Sequence, residues 1–127
     1  LVFFGFTTCP DICPTTLSVL NESVKKLDSP PQVVMITVDP ERDSPQKLRG
    51  YVPAFNALFR GFTGSFDQTV NLAEQMNIAF GKIPGPKSGT YTMDHTASIV
   101  LIDPYGRYAG DLARGGRDEA KTIRSAA

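Results

Sequence analysis

Cys9 and Cys13 are the only cysteines in a chain of 127 residues, and they stand in the run Thr8-Cys9-Pro10-Asp11-Ile12-Cys13-Pro14. The run follows the apolar stretch Leu1 to Phe6 and precedes a helical pattern, so a strand is expected to deliver both thiols to the start of a helix. Backbone N–H groups and the helix dipole favour anions there, which is expected to stabilise the thiolate forms. Thiolates carry out redox exchange or bind soft metals. Cysteines four apart on a helical turn share a face with Cβ atoms roughly 5 to 6 Å apart, compatible with a disulfide or with two ligands on one metal. The familiar dithiol redox motif has two residues between its cysteines where this chain has three, and a structural zinc site needs four ligands.

A third donor is available in His95, the one histidine of the chain, within Thr92-Met93-Asp94-His95-Thr96. Two thiolates and one imidazole form a small, soft donor set that suits copper, above all Cu(I), which accepts two or three ligands. His95 is expected in the loop just before a strand over Ala97 to Ile102, a loop that approaches the cysteine helix in a thioredoxin-like sheet. Asp94 is expected either to orient the imidazole or to stand as a solvated loop acid. Asp39, in Thr37-Val38-Asp39-Pro40-Glu41-Arg42-Asp43, lies at the carboxyl edge of a strand, where open α/β sheets gather their sites. It is expected to support the metal site indirectly or, together with Arg42 or Asp43, to form a turn with a salt bridge. Asp11 reads as a turn residue bonding a backbone N–H, and Met93 as packing. The run Gly81 to Ser88 has Pro86 where a phosphate loop needs an N–H donor, so nucleotide binding is rejected.

The elements that must position these residues are legible from periodicity. Leu17, Leu20, Val24 and Leu27 recur every three or four residues with Pro14 in the first turn, an amphipathic helix. Val33 to Val38 reads as a second buried strand, and strand, helix, strand in sequence argues for a parallel crossover. Ser44-Pro45 opens a helix through about Tyr51 that Pro53 disturbs. Phe59 to Thr63 reads as a third strand. Ser65 caps a helix from Phe66 to about Ala79 with Val70, Ala73 and Met76 inside. Gly81 to Gly89 reads as a loop, Ala97 to Ile102 and Arg107 to Gly110 as a hairpin about Asp103-Pro104-Tyr105-Gly106, and 117–126 as a closing helix. The order fits an α/β, thioredoxin-like fold with a central mixed sheet flanked by helices.

This length makes one domain, 1–127. Thirteen basic and thirteen acidic residues give a net charge of zero without runs of either sign, so an electrostatic case for nucleic acid is absent. No stretch reaches the roughly 20 apolar residues of a membrane span. Leu1 to Phe6 reads as a central strand buried on both faces, so the domain is expected to be truncated at its N-terminus.

The three runs Cys9-Pro10-Asp11-Ile12-Cys13-Pro14, Thr37 to Asp43 and Tyr91 to Thr96 together resemble the signatures of the Sco/SenC copper-chaperone family, over essentially the whole chain. The resemblance implies a thioredoxin-like fold with Cys9, Cys13 and His95 as copper ligands, in Cu(I) and Cu(II) states. It implies a metallochaperone rather than an enzyme, serving the binuclear copper centre of cytochrome c oxidase subunit II or another copper-accepting protein, with a thiol–disulfide role toward the target and a thioredoxin-type reductant as partner. It further implies an N-terminal membrane anchor outside this chain, at the bacterial periplasmic face of the inner membrane or in the mitochondrial intermembrane space. The alternative from the residues alone is a thiol–disulfide oxidoreductase or thiol peroxidase with Cys9 as nucleophile and Cys13 as resolving thiol. A binding module with a structural disulfide is the third.

Overall fold

The computed structural model describes residues 1–9, 12–96 and 98–113. In order these form β1 (Val2–Gly5), α1 (Ile12–Lys25), β2 (Val34–Thr37), α2 (Pro45–Tyr51), β3 (Arg60–Phe62), α3 (Phe66–Gln75), β4 (Phe80–Pro84), β5 (Tyr91–His95), β6 (Ser98–Ile102) and β7 (Tyr108–Ala113), with one 3-10 turn, Val52–Ala54, after α2. Five strands make a mixed sheet in the order β3-β2-β1-β6-β7. β1 runs parallel to β2, and β2 to β3. β1 pairs antiparallel with β6, and β6 with β7. Helices flank this sheet in the expected thioredoxin-like arrangement.

β1 lies at the centre of the sheet. Phe3 and Phe4 are both fully buried, and successive strand residues face opposite sides, so both faces of β1 are covered. Leu17, Leu20 and Val24 bury one stripe of α1 into the same core as Met35, Val38, Ile99 and Val100. Burying each such side chain contributes about 1.5–3 kcal/mol relative to exposure.

Local signals set the helix boundaries. The Ser44 hydroxyl accepts from the Lys47 N–H at 3.1 Å with Pro45 beginning α2. Ser65 and Gln68 satisfy each other's backbone N–H groups in a capping box. α3 ends at Gln75 rather than near Ala79, because Asn77 turns left-handed at φ 57°. The Ile78 N–H then reaches the Ala73 carbonyl at 2.9 Å and the Asn77 N–H that of Glu74 at 3.2 Å, closing the helix. The buried stripe of α3 is Thr69 and Ala73, with Leu72 and Met76 packed beside them, while Val70 is half-buried.

The segment read as a loop is a hairpin. β4 and β5 pair antiparallel from Phe80 opposite His95 to Pro84 opposite Tyr91, as a separate two-stranded sheet. Gly85 begins its turn, donating to the Thr90 carbonyl at 2.8 Å, and a Cβ there would stand 2.3 Å from Thr90 Oγ1. Pro84, Gly85 and Pro86 mark that turn and its flank rather than a continuous loop. β7 extends to Ala113, past the expected Gly110. The expected helix over 117–126 and residues Pro10, Asp11 and Ala97 lie outside the described residues. Among the described residues no helix is long and apolar enough to cross a membrane.

Candidate metal centre

Cys9 stands in the loop between β1 and α1, half-buried, and Cys13 is the second residue of α1 with no exposure at all. Both are free thiols. The Cys9 sulfur accepts the Cys13 N–H at 3.4 Å, so it meets one of the N–H groups that a first helical turn leaves unpaired. Gly5, at the end of β1, makes room for the second thiol. A Cβ at Gly5 would lie 2.9 Å from Cys13 Sγ and 2.8 Å from the Phe3 ring.

Burial pushes the Cys13 thiol well above its ordinary pKa. A hydrogen bond with the Phe6 backbone works the other way, and Cys9 and Asp43 add to the rise. At Cys13, burial therefore opposes the thiolate that the helix start was expected to favour. Desolvation of a buried anion opposes the dipole, whose effect is about 1 kcal/mol or less at most sites.

His95 Nε2 lies 3.7 Å from Cys13 Sγ. The histidine is the last residue of β5, not part of a loop. Its Nδ1 faces the Thr96 carbonyl at 3.2 Å, and a carbonyl only accepts, so the proton sits on Nδ1 and the Nε2 lone pair faces the sulfur. Phe3 and Phe6 meet the imidazole edge-on, at centroid distances of 6.1 and 5.9 Å. A metal with sulfur at about 2.3 Å and nitrogen at about 2.1 Å, at angles between tetrahedral and trigonal, separates the two donors by about 3.6–3.8 Å. The observed 3.7 Å fits that span. Among the described residues no closed set of three donors is gathered: Cys13 and His95 touch, and Cys9 is tied to them through the Cys13 backbone. An open groove of about 460 Å³, lined by Phe80, Lys82, Asp94 and His95 among others, leads to the imidazole.

The supporting residues are arranged differently from expectation. Asp94 is exposed and adjoins His95 along a strand, so the two side chains point to opposite faces, and Thr96 rather than Asp94 meets Nδ1. Asp39 is buried, bonded to the Arg42 Nε and accepting from the Tyr91 hydroxyl at 2.7 Å. Arg42 donates to the Tyr91 carbonyl at 3.0 Å and lies 3.9 Å over its ring. Asp39 therefore grips the first residue of β5, four positions before His95, and the salt-bridged turn with Arg42 is the part of its expected role that the structure shows. Desolvation and the Asp39 bond push the Tyr91 phenol up to about 12.

Asp43, which the sequence offered only as a turn partner of Asp39, is a supporting residue in its own right. Fully buried, it accepts from the Thr7 N–H at 3.0 Å, the Thr7 hydroxyl at 2.5 Å and the Thr37 hydroxyl at 2.6 Å, with Lys47 Nζ at 3.9 Å. It fastens the loop that carries Cys9 to the end of β2. Its place in an acidic turn after a strand was visible, but its partner Thr7, 36 positions away, was not.

The family model described as SCO1/SenC matches residues 1–126. The mitochondrial protein SCO1 of Saccharomyces cerevisiae is 37% identical over 119 residues, 90% of this chain and 40% of that protein. The mitochondrial SCO2 homologue of Homo sapiens is 37% identical over 119 residues, 90% of this chain and 45% of that protein. The chain thus spans about half the length or less of these relatives. Among solved structures, copper-bound ScoI of Arabidopsis thaliana superposes with a TM-score of 0.87 at 28% identity, covering 98% of this chain and 80% of that one. Copper-bound yeast Sco1 superposes at 0.86 with 34% identity, covering 98% and 72%.

Proposed function

Because the chain belongs to the SCO1/SenC family, we propose that it is a copper metallochaperone in which Cys9, Cys13 and His95 hold the ion. The cargo passes to the binuclear copper site of cytochrome c oxidase subunit II, or to another copper-accepting protein. The observation that carries the site is the 3.7 Å approach of His95 Nε2 to Cys13 Sγ across 82 positions of sequence. The copper bound in the Arabidopsis and yeast structures supports the choice of ion.

Each residue has a distinct part. Cys9 and Cys13 bind as thiolates, so loading releases their protons and strengthens as pH rises. His95 offers Nε2 because Nδ1–H is held by the Thr96 carbonyl. Two soft sulfurs and one nitrogen suit Cu(I) at low coordination and also reach Cu(II). Such a site leaves an approach for a target thiolate, which displaces His95 or one cysteine. Exchange with a disulfide of the target joins Cys9 to Cys13 as a disulfide while the target pair takes up the two electrons and two protons as thiols, which removes both sulfur ligands. A thioredoxin-type dithiol restores them by becoming a disulfide itself. The domain works at the periplasmic face of a bacterial inner membrane or, alternatively, in the mitochondrial intermembrane space. The relatives named above are mitochondrial, and a family member of known structure from Bacillus anthracis is a lipoprotein.

A second reading, thiol–disulfide exchange with Cys9 attacking and Cys13 resolving, draws on the greater exposure of Cys9. Anaerobic titration of the reduced protein with Cu(I), followed by peroxide and disulfide turnover assays, separates the two. The chaperone reading expects one tightly held equivalent and negligible turnover. His95→Ala is expected to weaken Cu(I) binding by at least about tenfold; unchanged affinity and target metallation would overturn the three-donor site.

A further inference from the structure

β4 pairs on one side with the strand that ends at His95, and its other side is an open edge. The Gly85 N–H meets the Thr90 carbonyl, and the Thr96 N–H meets that of Ala79. In an antiparallel ladder hydrogen-bonded pairs alternate with unbonded ones. With Phe80 opposite His95 and Pro84 opposite Tyr91, Gly81 and Ile83 therefore bond to β5, while Phe80 and Lys82 turn their N–H and C=O groups away from it. Among the described residues no strand other than β5 pairs with β4, and no backbone bond from another element reaches Phe80 or Lys82.

Proteins commonly blunt such an edge with a lysine, because unpaired N–H and C=O groups are a template for another strand. Lys82 does not do so here. Its amine is drawn back to Glu41 at 3.0 Å and lies 4.7 Å from the centre of the Tyr91 ring. At Gly81 even an added Cβ would meet nothing within 4 Å, and Ile83 is 46% exposed. Pro84 has no N–H and ends the bonding edge.

We infer that this edge is where the copper acceptor docks, by adding a cysteine-bearing segment to β4 as a third, antiparallel or parallel, extended strand. The inference rests on the reading of the chain as a copper donor and names the surface that holds the target. Unpaired main-chain groups at alternate residues match an extended peptide, and strand addition draws its affinity from them. Continuity with the site argues for the acceptor as occupant. The edge begins at Phe80, directly opposite His95, and the open groove beside the imidazole is lined by Phe80, Lys82 and Ile83 of the same strand. Neighbouring strands lie about 4.8 Å apart, so an added strand runs about 10 Å from β5. A second copy of this chain fits less well, because antiparallel pairing about Lys82 sets two lysines opposite each other.

The probe is a capped synthetic peptide, Thr-Val-Cys-Val-Thr-Val, added to the reduced, metal-free full chain. Amide exchange at Phe80 and Lys82 is expected to slow at least about tenfold on saturation. Lys82→Pro removes one outward N–H without taking a bond from the ladder, and is expected to bind the peptide about fivefold more weakly than Lys82→Ala, the control for the amine. The same peptide N-methylated at alternate residues is expected not to bind, a comparison that needs no variant to fold. Unslowed exchange at both amides, or equal binding of the methylated peptide, overturns the inference. Protection that grows with protein concentration in the absence of peptide also overturns it, in favour of a second copy. With Cu(I) loaded, transfer to the peptide is expected to be about fivefold slower from Lys82→Pro than from Lys82→Ala; equal rates overturn the role of the edge in delivery. If wild type takes up no Cu(I), the donor reading falls, while the metal-free exchange measurement still decides whether β4 accepts a strand.

Discussion

A thiol without solvent contact gives up its proton reluctantly, and Cys13 is in that position. Its compensation is geometric, because the imidazole lone pair already faces the sulfur and a bound cation would replace the proton between them. Asp43 does comparable work for Cys9 by pinning Thr7. Asp43→Ala would orphan three donors in a fully buried position, and a loss of about 3 kcal/mol is expected, read from the urea midpoint. Copper affinity should fall with it as the Cys9 loop loosens. At this scale the cysteine pair and the Asp39–Arg42 contact were legible, since their members are near neighbours in sequence. Thr7 with Asp43 and Tyr91 with Asp39 were not, because their members stand 36 and 52 positions apart and only the folded sheet joins them.

Among the elements, β1 and the β4–β5 hairpin decide where the donors meet. β1 ends at Gly5 because any side chain there would enter the space of Cys13 Sγ and the Phe3 ring. Gly5→Ala is expected to cost about 1–3 kcal/mol by overpacking and to lower copper affinity at temperatures where the variant is still folded, as a melt and a Cu(I) titration on the same sample will reveal. The hairpin was missed because prolines and glycines read as loop, while the alternation of Tyr91, Met93 and His95 is only a short strand signal. That error also put His95 in a loop, although the nearness of the histidine to the cysteine helix followed correctly from the topology. Among the described residues the hairpin shares no strand ladder with the main sheet, and Asp39, Arg42 and Tyr91 supply a polar clasp. Tyr91→Phe removes one bond of that clasp. Faster amide exchange along β5 is expected, together with weaker copper binding in which His95 contributes less.

For the whole molecule, two phenols set a limit at high pH. Tyr51 and Tyr91 titrate at about 12 in the folded chain, both chiefly through desolvation, against about 10 when unfolded. Their folded values are raised, so their contribution to stability is complete below pH 10 and is lost as pH climbs from 10 through 12. Denaturant midpoints at pH 9, 10 and 11 should therefore decline beyond 10, and Tyr91→Phe should flatten part of that decline. A steady midpoint across the series would refute the assignment. The joining of Cys13 to His95 across 82 positions has a consequence for biosynthesis. A growing chain carries its dithiol long before the imidazole exists, and the imidazole can reach the sulfur only once the β4–β5 hairpin that carries it has formed beside the cysteine helix. With the three-donor site proposed above, an unfinished or misassembled polypeptide would have sulfur but no third ligand, and high-affinity loading would be a mark of maturity, reserved for molecules whose folding is complete.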